Sequence, residues 1–172
     1  MPVAEHSVWI RIGRIMKKLS LVPNLCTGCR ECQLMCSLKH AGRFNPAEAR
    51  IRIEYDVEMN CYSPVICRQC DEPACADACP SEAFSRDDRS GSLVIDAEKC
   101  SLCLQCVDAC PYGAIRVAPD GTVLKCDLCG GDPECVKFCS KRPEMSSPLM
   151  ANPEGATALI LIENGTPAPA QG

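Results

Sequence analysis

Apolar residues come in short bursts along this chain. Five bursts read as β-strands from their leucine, isoleucine and valine content: residues 19–22, 93–95, 115–117, 122–124 and 158–162. None approaches the ~18 consecutive apolar residues that mark a transmembrane helix, so no membrane span is expected. Pro111-Tyr112-Gly113-Ala114-Ile115 reads as a turn from a short helix into a strand, and Pro80-Ser81-Glu82-Ala83-Phe84 is its upstream counterpart. These short pieces predict a small α+β unit.

Composition changes the picture of what such a unit could be built around. The 172 residues include 17 cysteines but only 1 Trp, 3 Tyr and 3 Phe. A cysteine density this high marks a disulfide scaffold or a metal-rich protein, and with so few large side chains something else must fill the interior. Residues 1–20 show no uninterrupted apolar segment and no small-residue cleavage site, so a cytoplasmic protein is expected. Disulfides are disfavoured there, and an odd cysteine count fits them poorly. A formal charge of −4 with no long basic run argues against nucleic acid as a partner.

Sixteen of the cysteines fall into four groups of four. Cys26, Cys29, Cys32 and Cys36 are spaced C-x2-C-x2-C-x3-C, and so are Cys100, Cys103, Cys106 and Cys110. Cys67, Cys70, Cys75 and Cys79 follow C-x2-C-x4-C-x3-C, and Cys126, Cys129, Cys135 and Cys139 follow C-x2-C-x5-C-x3-C. Three cysteines on one tight loop can offer their sulfurs to three corners of a cubane, and the fourth then ligates a different cluster. The fourth cysteine is expected to begin a helix, with Pro80 and Pro111 at its first turn. Each pair of motifs should therefore build two 4Fe–4S clusters that exchange one ligand. Structural zinc is the competing reading, but zinc knuckles are usually two C-x2-C pairs set a dozen or more residues apart.

The stretch from Cys26 to Cys139 resembles the four-cluster, ferredoxin-like iron–sulfur subunits of dimethyl sulfoxide reductase-type and formate dehydrogenase-type complexes. A narrower resemblance is to the small iron–sulfur subunit that accompanies tungsten aldehyde oxidoreductases. It is carried by Cys36-Ser37-Leu38-Lys39-His40, Phe44-Asn45-Pro46, Arg50-Ile51-Arg52-Ile53, Pro64-Val65-Ile66-Cys67-Arg68-Gln69-Cys70 and Lys125-Cys126-Asp127-Leu128-Cys129-Gly130-Gly131-Asp132-Pro133. The resemblance implies nesting, with the first motif paired to the fourth and the second to the third. One cluster would then use Cys26, Cys29, Cys32 and Cys139, and another Cys126, Cys129, Cys135 and Cys36. A third would use Cys67, Cys70, Cys75 and Cys110, and the last Cys100, Cys103, Cys106 and Cys79. The implied fold is two nested bacterial-ferredoxin-like units: an outer half from residues 21–59 and 119–145, and an inserted half from residues 60–118. Residues 1–20 and 146–172 flank it as extensions. One departure is that Ser37 and Ser140 stand where proline follows the fourth cysteine of the inner motifs.

Nothing in the chain suggests an active site. There are two histidines, no G-x-S-x-G and no glycine-rich phosphate loop. The expected role is a non-catalytic electron-transfer subunit. The resemblance implies a large metal-pterin catalytic partner, with aldehyde oxidation on that chain, and a flavin-containing NAD-linked subunit or a ferredoxin at the other end; further copies of the chain itself are also candidate partners. The same role in a formate dehydrogenase, hydrogenase or aryl-CoA reductase complex is the alternative, and a zinc-stabilised interaction module or a free-standing ferredoxin are further ones. Trp9, Arg11 and Arg14 form a candidate docking arm, since an aromatic with basic neighbours is typical interface material. The run at 158–162 fits either a sheet edge on its own domain or an arm on a neighbour; the spacer before it favours the arm, so that truncation after Ser147 would spare the clusters. Cys61 lies outside the spacing pattern and is expected to be a buried free thiol. His40 is expected to serve in hydrogen bonding or packing rather than ligation.

Overall fold

The computed structural model describes residues 16–22, 25–139 and 157–163. Its strands are β1 (Lys18–Leu21), β2 (Arg52–Asp56), β3 (Cys61–Val65), β4 (Phe84–Arg86), β5 (Leu93–Ile95), β6 (Arg116–Val117), β7 (Val123–Leu124) and β8 (Leu159–Ile162). They form four two-stranded antiparallel sheets, β1–β8, β2–β3, β4–β5 and β6–β7. Three are hairpins between neighbours in sequence; β1–β8 instead joins segments near opposite ends of the chain, with Lys18 opposite Ile162 and Leu21 opposite Leu159. The helices are α1 (Glu31–Ala41), α2 (Ala74–Asp77), α3 (Gln105–Ala109) and α4 (Glu134–Lys137).

Each helix belongs to one cysteine motif, and the helices pack in pairs, α1 on α4 and α2 on α3. The short helices are marginal alone, so their packing rather than propensity holds them. Ile51, Ile66, Leu128 and Leu159 are almost fully buried and share one apolar cluster with Cys26, Cys32, Cys36, Cys67, Cys126 and Cys135. A second cluster joins Leu93 and Ile115 to Cys75 and Cys106. Each large aliphatic side chain contributes roughly 1.5–3 kcal/mol by burial. Cysteine is thus interleaved with the aliphatic core, which is where the scarce aromatics leave room. Among the described residues no helix is long and apolar enough to cross a membrane.

Two local expectations are corrected. The helix begins just before the third cysteine of each motif, not at the fourth: α1, α2, α3 and α4 contain Cys32, Cys75, Cys106 and Cys135 near their starts. The left-handed residues Arg30 (φ 60) and Leu104 (φ 62) turn the chain out of the cysteine loop and into α1 and α3. Cys110 caps α3, and Cys79 and Cys139 lie just past α2 and α4. Only Cys36 stands within its helix, one turn after Cys32. Pro80 and Pro111 therefore follow the short helices and stop them, rather than starting new ones.

The second correction concerns residues 158–162, where the structure forms a sheet edge of the same chain rather than the favoured arm on a neighbour. Leu159–Ile162 form β8, which pairs with β1 of the same chain, and Ala158 and Leu159 are buried there. A short apolar run shows that a strand forms but not which edge it joins. β1 also continues across residue 20, so Lys18 and Leu19 belong to this sheet rather than to a separate extension.

Candidate metal centres

Cys26, Cys29, Cys32 and Cys139 line one cavity, closed by Leu25, Ile53, Pro64, Ala158 and Leu159. The first three sit on the loop before and into α1, and Cys139 arrives from the end of α4, which packs on α1. Cys79, Cys100, Cys103 and Cys106 line a second cavity, covered by Phe84, Ile95, Leu104 and Val123.

Seven of the other eight cysteines influence one another across the paired motifs, Cys36 with Cys126, Cys129 and Cys135, and Cys110 with Cys67 and Cys75. Burial raises the Cys135 thiol far above its ordinary range, and the sulfurs of Cys126, Cys36 and Cys129 push it the same way. Burial likewise drives Cys75 up to about 11; the Lys125 ammonium opposes this, while Cys67 and Cys110 add to it. Cys70 is half-buried on the Cys67 loop, with its carbonyl held by Arg86 Nη2. Cys32 feels Cys29, Cys139 and Cys26, and Cys135 feels Cys32 of the neighbouring set. Cys126 feels Cys67 across the junction between the two helix pairs. Contacts between sets thus run from Cys32 through Cys135 and Cys126 to Cys67, and Cys75 and Cys106, with Cys110 packed against them, share the second apolar cluster.

The chemistry of these sites suits a thiolate-bound metal group. Neither lined cavity holds a His, Asp or Glu side chain, and each offers four cysteine sulfurs, a donor set that selects soft metals and iron–sulfur clusters. Burial drives Cys32 up to about 12, so a bare thiolate is strongly disfavoured there and needs a cation to exist. Backbone N–H groups already point at the sulfurs. Ala83 N donates to Cys79 Sγ and Ala114 N to Cys110 Sγ, both at 3.4 Å, through the matching Pro80 and Pro111 loops. The two motifs without that proline find their donors elsewhere. Arg50 N reaches Cys36 Sγ at 3.3 Å, and Ala158 and Leu159 of the β8 segment donate to Cys139.

Several supporting residues carry no signal in cysteine spacing. Gly28 lies in the Cys26 loop at φ +72, and a Cβ there would fall 2.5 Å from the Tyr62 ring. Tyr62 packs in turn against Tyr55 in a tilted arrangement, with centroids 5.0 Å apart. Gly28→Ala should cost roughly 1–3 kcal/mol through clash and left-handed strain. In thermal melts a second change, Tyr62→Ala, should not add its full separate cost, because it removes the ring that the new methyl strikes; simple additivity would count against this contact.

His40 Nε2 lies 3.5 Å from both Cys129 Sγ and Asp127 Oδ1. Asp127 forms an ion pair with Arg50 at 2.6 Å. Although burial disfavours the carboxylate, Arg50 holds its pKa below the usual value. Burial first, and then Arg50, lower the His40 pKa. This set braces the Cys36–Cys129 side of the core. Cys61 is half-buried at the start of β3 rather than fully buried, and close enough to Cys26 to raise its pKa. Trp9, Arg11 and Arg14 lie outside the described residues.

Residues 57–146, just over half of the chain, match the model of the 4Fe-4S dicluster domain. The chain belongs to the 4Fe-4S dicluster family of ferredoxin-like electron-transfer proteins. The matched span of this dicluster protein takes in the second, third and fourth cysteine groups. Over 136 residues the chain is 42% identical to the aliphatic sulfonate oxidoreductase, polyferredoxin-like subunit, of Pyrococcus furiosus, covering 78% of this chain and 73% of that one. It is 35% identical over 131 residues to the NADH-dependent phenylglyoxylate dehydrogenase subunit beta of Aromatoleum evansii, covering 74% of this chain but only 29% of that longer protein. The electron transport protein HydN of Escherichia coli is 33% identical over 138 residues, covering 66% of this chain and 78% of its own. For this dicluster protein, membership decides between the metals that four thiolates could hold, in favour of iron–sulfur.

Proposed function

We propose that this chain is the electron-transfer subunit of a multi-chain oxidoreductase and holds four 4Fe–4S clusters. The ligand sets are Cys26/Cys29/Cys32/Cys139, Cys36/Cys126/Cys129/Cys135, Cys67/Cys70/Cys75/Cys110 and Cys79/Cys100/Cys103/Cys106. The observation that supports this reading is that Cys139 lines the cavity of the Cys26 loop and Cys79 that of the Cys100 loop, while α1 packs on α4 and α2 on α3. A cubane with four thiolates passes one electron at a time and keeps no position open for substrate. The chain's own residues then position the sulfurs, cover them from water with Leu159, Ile53 and Phe84, and donate N–H groups to Cys36, Cys79, Cys110 and Cys139.

Cys29 and Cys103 are the exposed members of the two end sets, so electrons enter and leave beside them. The partner at one end is a large metal-pterin catalytic subunit, for which aldehyde oxidation at tungsten is the narrower reading. The other end serves a flavin-containing NAD-linked subunit or a ferredoxin. Support for a multi-chain setting comes from relatives named as subunits of a sulfonate oxidoreductase and of an NADH-dependent dehydrogenase.

Anaerobically purified protein should be brown and carry about 16 iron and about 16 sulfide per chain, four of each per cubane. A colourless protein with zinc and no sulfide overturns the reading. Co-elution with a large chain containing tungsten or molybdenum tests the partner; a tungsten-free partner removes the aldehyde reading and leaves the electron path standing.

A further inference from the structure

Lys125 directly precedes Cys126 and is only 5% exposed. Its Nζ donates to the carbonyls of Leu93 and of Cys126, the latter at 3.1 Å. Leu93 lies on β5, between the second and third motifs, whereas Cys126 opens the fourth. The ammonium is therefore fixed where the two helix pairs meet. Gln69, fully buried, bridges the same two residues: its Nε2 donates to Cys126 O at 2.9 Å, and its Oε1 accepts Leu93 N at 2.8 Å.

Among the described residues no carboxylate pairs with Lys125. Asp127 lines the same cavity, but Arg50 holds it at 2.6 Å. A buried cation without a counter-ion is costly, and carbonyl dipoles compensate only in part. The groups that do respond to it are sulfurs. Lys125 works against burial to lower the pKa of Cys75 and of Cys126, which belong to different ligand sets.

We propose that Lys125 is a shared internal counter-charge that sets the reduction potentials of the two middle sites, Cys36/Cys126/Cys129/Cys135 and Cys67/Cys70/Cys75/Cys110. The inference rests on the electron-transfer reading above. Reduction of either site adds one electron, hence one negative charge, with no bond made or broken. A fixed cation stabilises the reduced form more than the oxidised one, and most strongly in a dry interior. Because one ammonium serves both sites, an electron crossing the junction stays beside the same positive charge. The step between the halves is kept nearly level, and neither middle site becomes a trap.

The test uses the full-length protein, assembled and titrated without oxygen, with dithionite as electron donor and paramagnetic resonance following each site. Lys125→Met is expected to keep its iron while two of the four sites become at least tenfold harder to reduce, a shift of about 59 mV for one electron. The other two should not move, and Lys125→Arg should restore most of the shift. Gln69→Leu removes the neutral half of the bridge; it should leave the potentials near wild type, whereas a merely structural role for the bridge would make it mimic Lys125→Met. Full iron with unchanged potentials, or an equal shift of all four sites, overturns the proposal. If Lys125→Met loses iron, Lys125→Gln keeps a hydrogen bond and carries the same titration; loss of the middle sites in both variants also overturns a purely electrostatic role. A wild-type protein lacking about 16 iron fails the earlier reading instead.

Discussion

A chain ending at residue 156 is expected to lose about four of its roughly 16 iron, all from the site that contains Cys139. The cause is specific. β8 is the partner strand of β1, Ala158 and Leu159 wall the cavity of Cys26, Cys29, Cys32 and Cys139, and both donate backbone N–H groups to Cys139. Removing them opens the cavity to water, strips the sulfur of its hydrogen bonds and leaves the buried face of β1 without its partner strand. Hydrogen bonds and solvent access at the sulfurs are among the levers that govern such sites. Iron analysis with paramagnetic resonance would show three sites where the full chain has four. Undiminished iron would return β8 to the role of a dispensable arm that serves only a neighbour. Leu159→Asp, which keeps the strand but charges the wall of the cavity, should reproduce much of the loss.

Cys135→Ala is expected to have the largest effect of any single cysteine change. Cys135 sits in α4, is buried in the main apolar cluster, and feels Cys126, Cys36 and Cys129 of its own set and Cys32 of the next. Its loss should remove about four iron and lower the apparent unfolding free energy by several kcal/mol, since metal binding and folding are coupled. Cys103→Ala is the control. Cys103 is exposed on a loop at the edge of the smaller cluster, so its site should be damaged while the melting temperature falls much less. Equal losses of iron and of melting temperature in the two variants would mean that burial does not rank these sites.

How far the site could be read in advance depended on the distance over which its parts interact. The four cysteine groups are local patterns, and so are the strands at 93–95 and 122–124, because a burst of β-branched and aliphatic residues needs only its immediate neighbours to prefer extension. The helix starts are not local in this way: each lies five residues before the fourth cysteine of its motif. The deciding features are the left-handed turns at Arg30 and Leu104, where non-glycine residues give no sign of positive φ.

The long-range supports were invisible for a different reason. A lysine before a cysteine, a glutamine between two cysteines and an arginine at position 50 look like surface residues in a linear reading. They acquire meaning only when Leu93 meets Cys126, or when Arg50 N meets Cys36 Sγ across 14 residues.

By itself, then, the sequence determined the chemistry: thiols in groups spaced for one tight loop each, and a thin aromatic core. Spacing does this because loop closure over two or three residues is nearly independent of the rest of the chain. The tertiary structure alone decided which N–H groups serve the sulfurs of Cys36 and Cys139, that β8 closes on β1, and that the Lys125 ammonium joins Leu93 to Cys126. Those contacts join segments from 14 to more than 100 residues apart. Their formation depends on the packing of α1 against α4 and of Leu93 against the fourth motif, which no local pattern encodes.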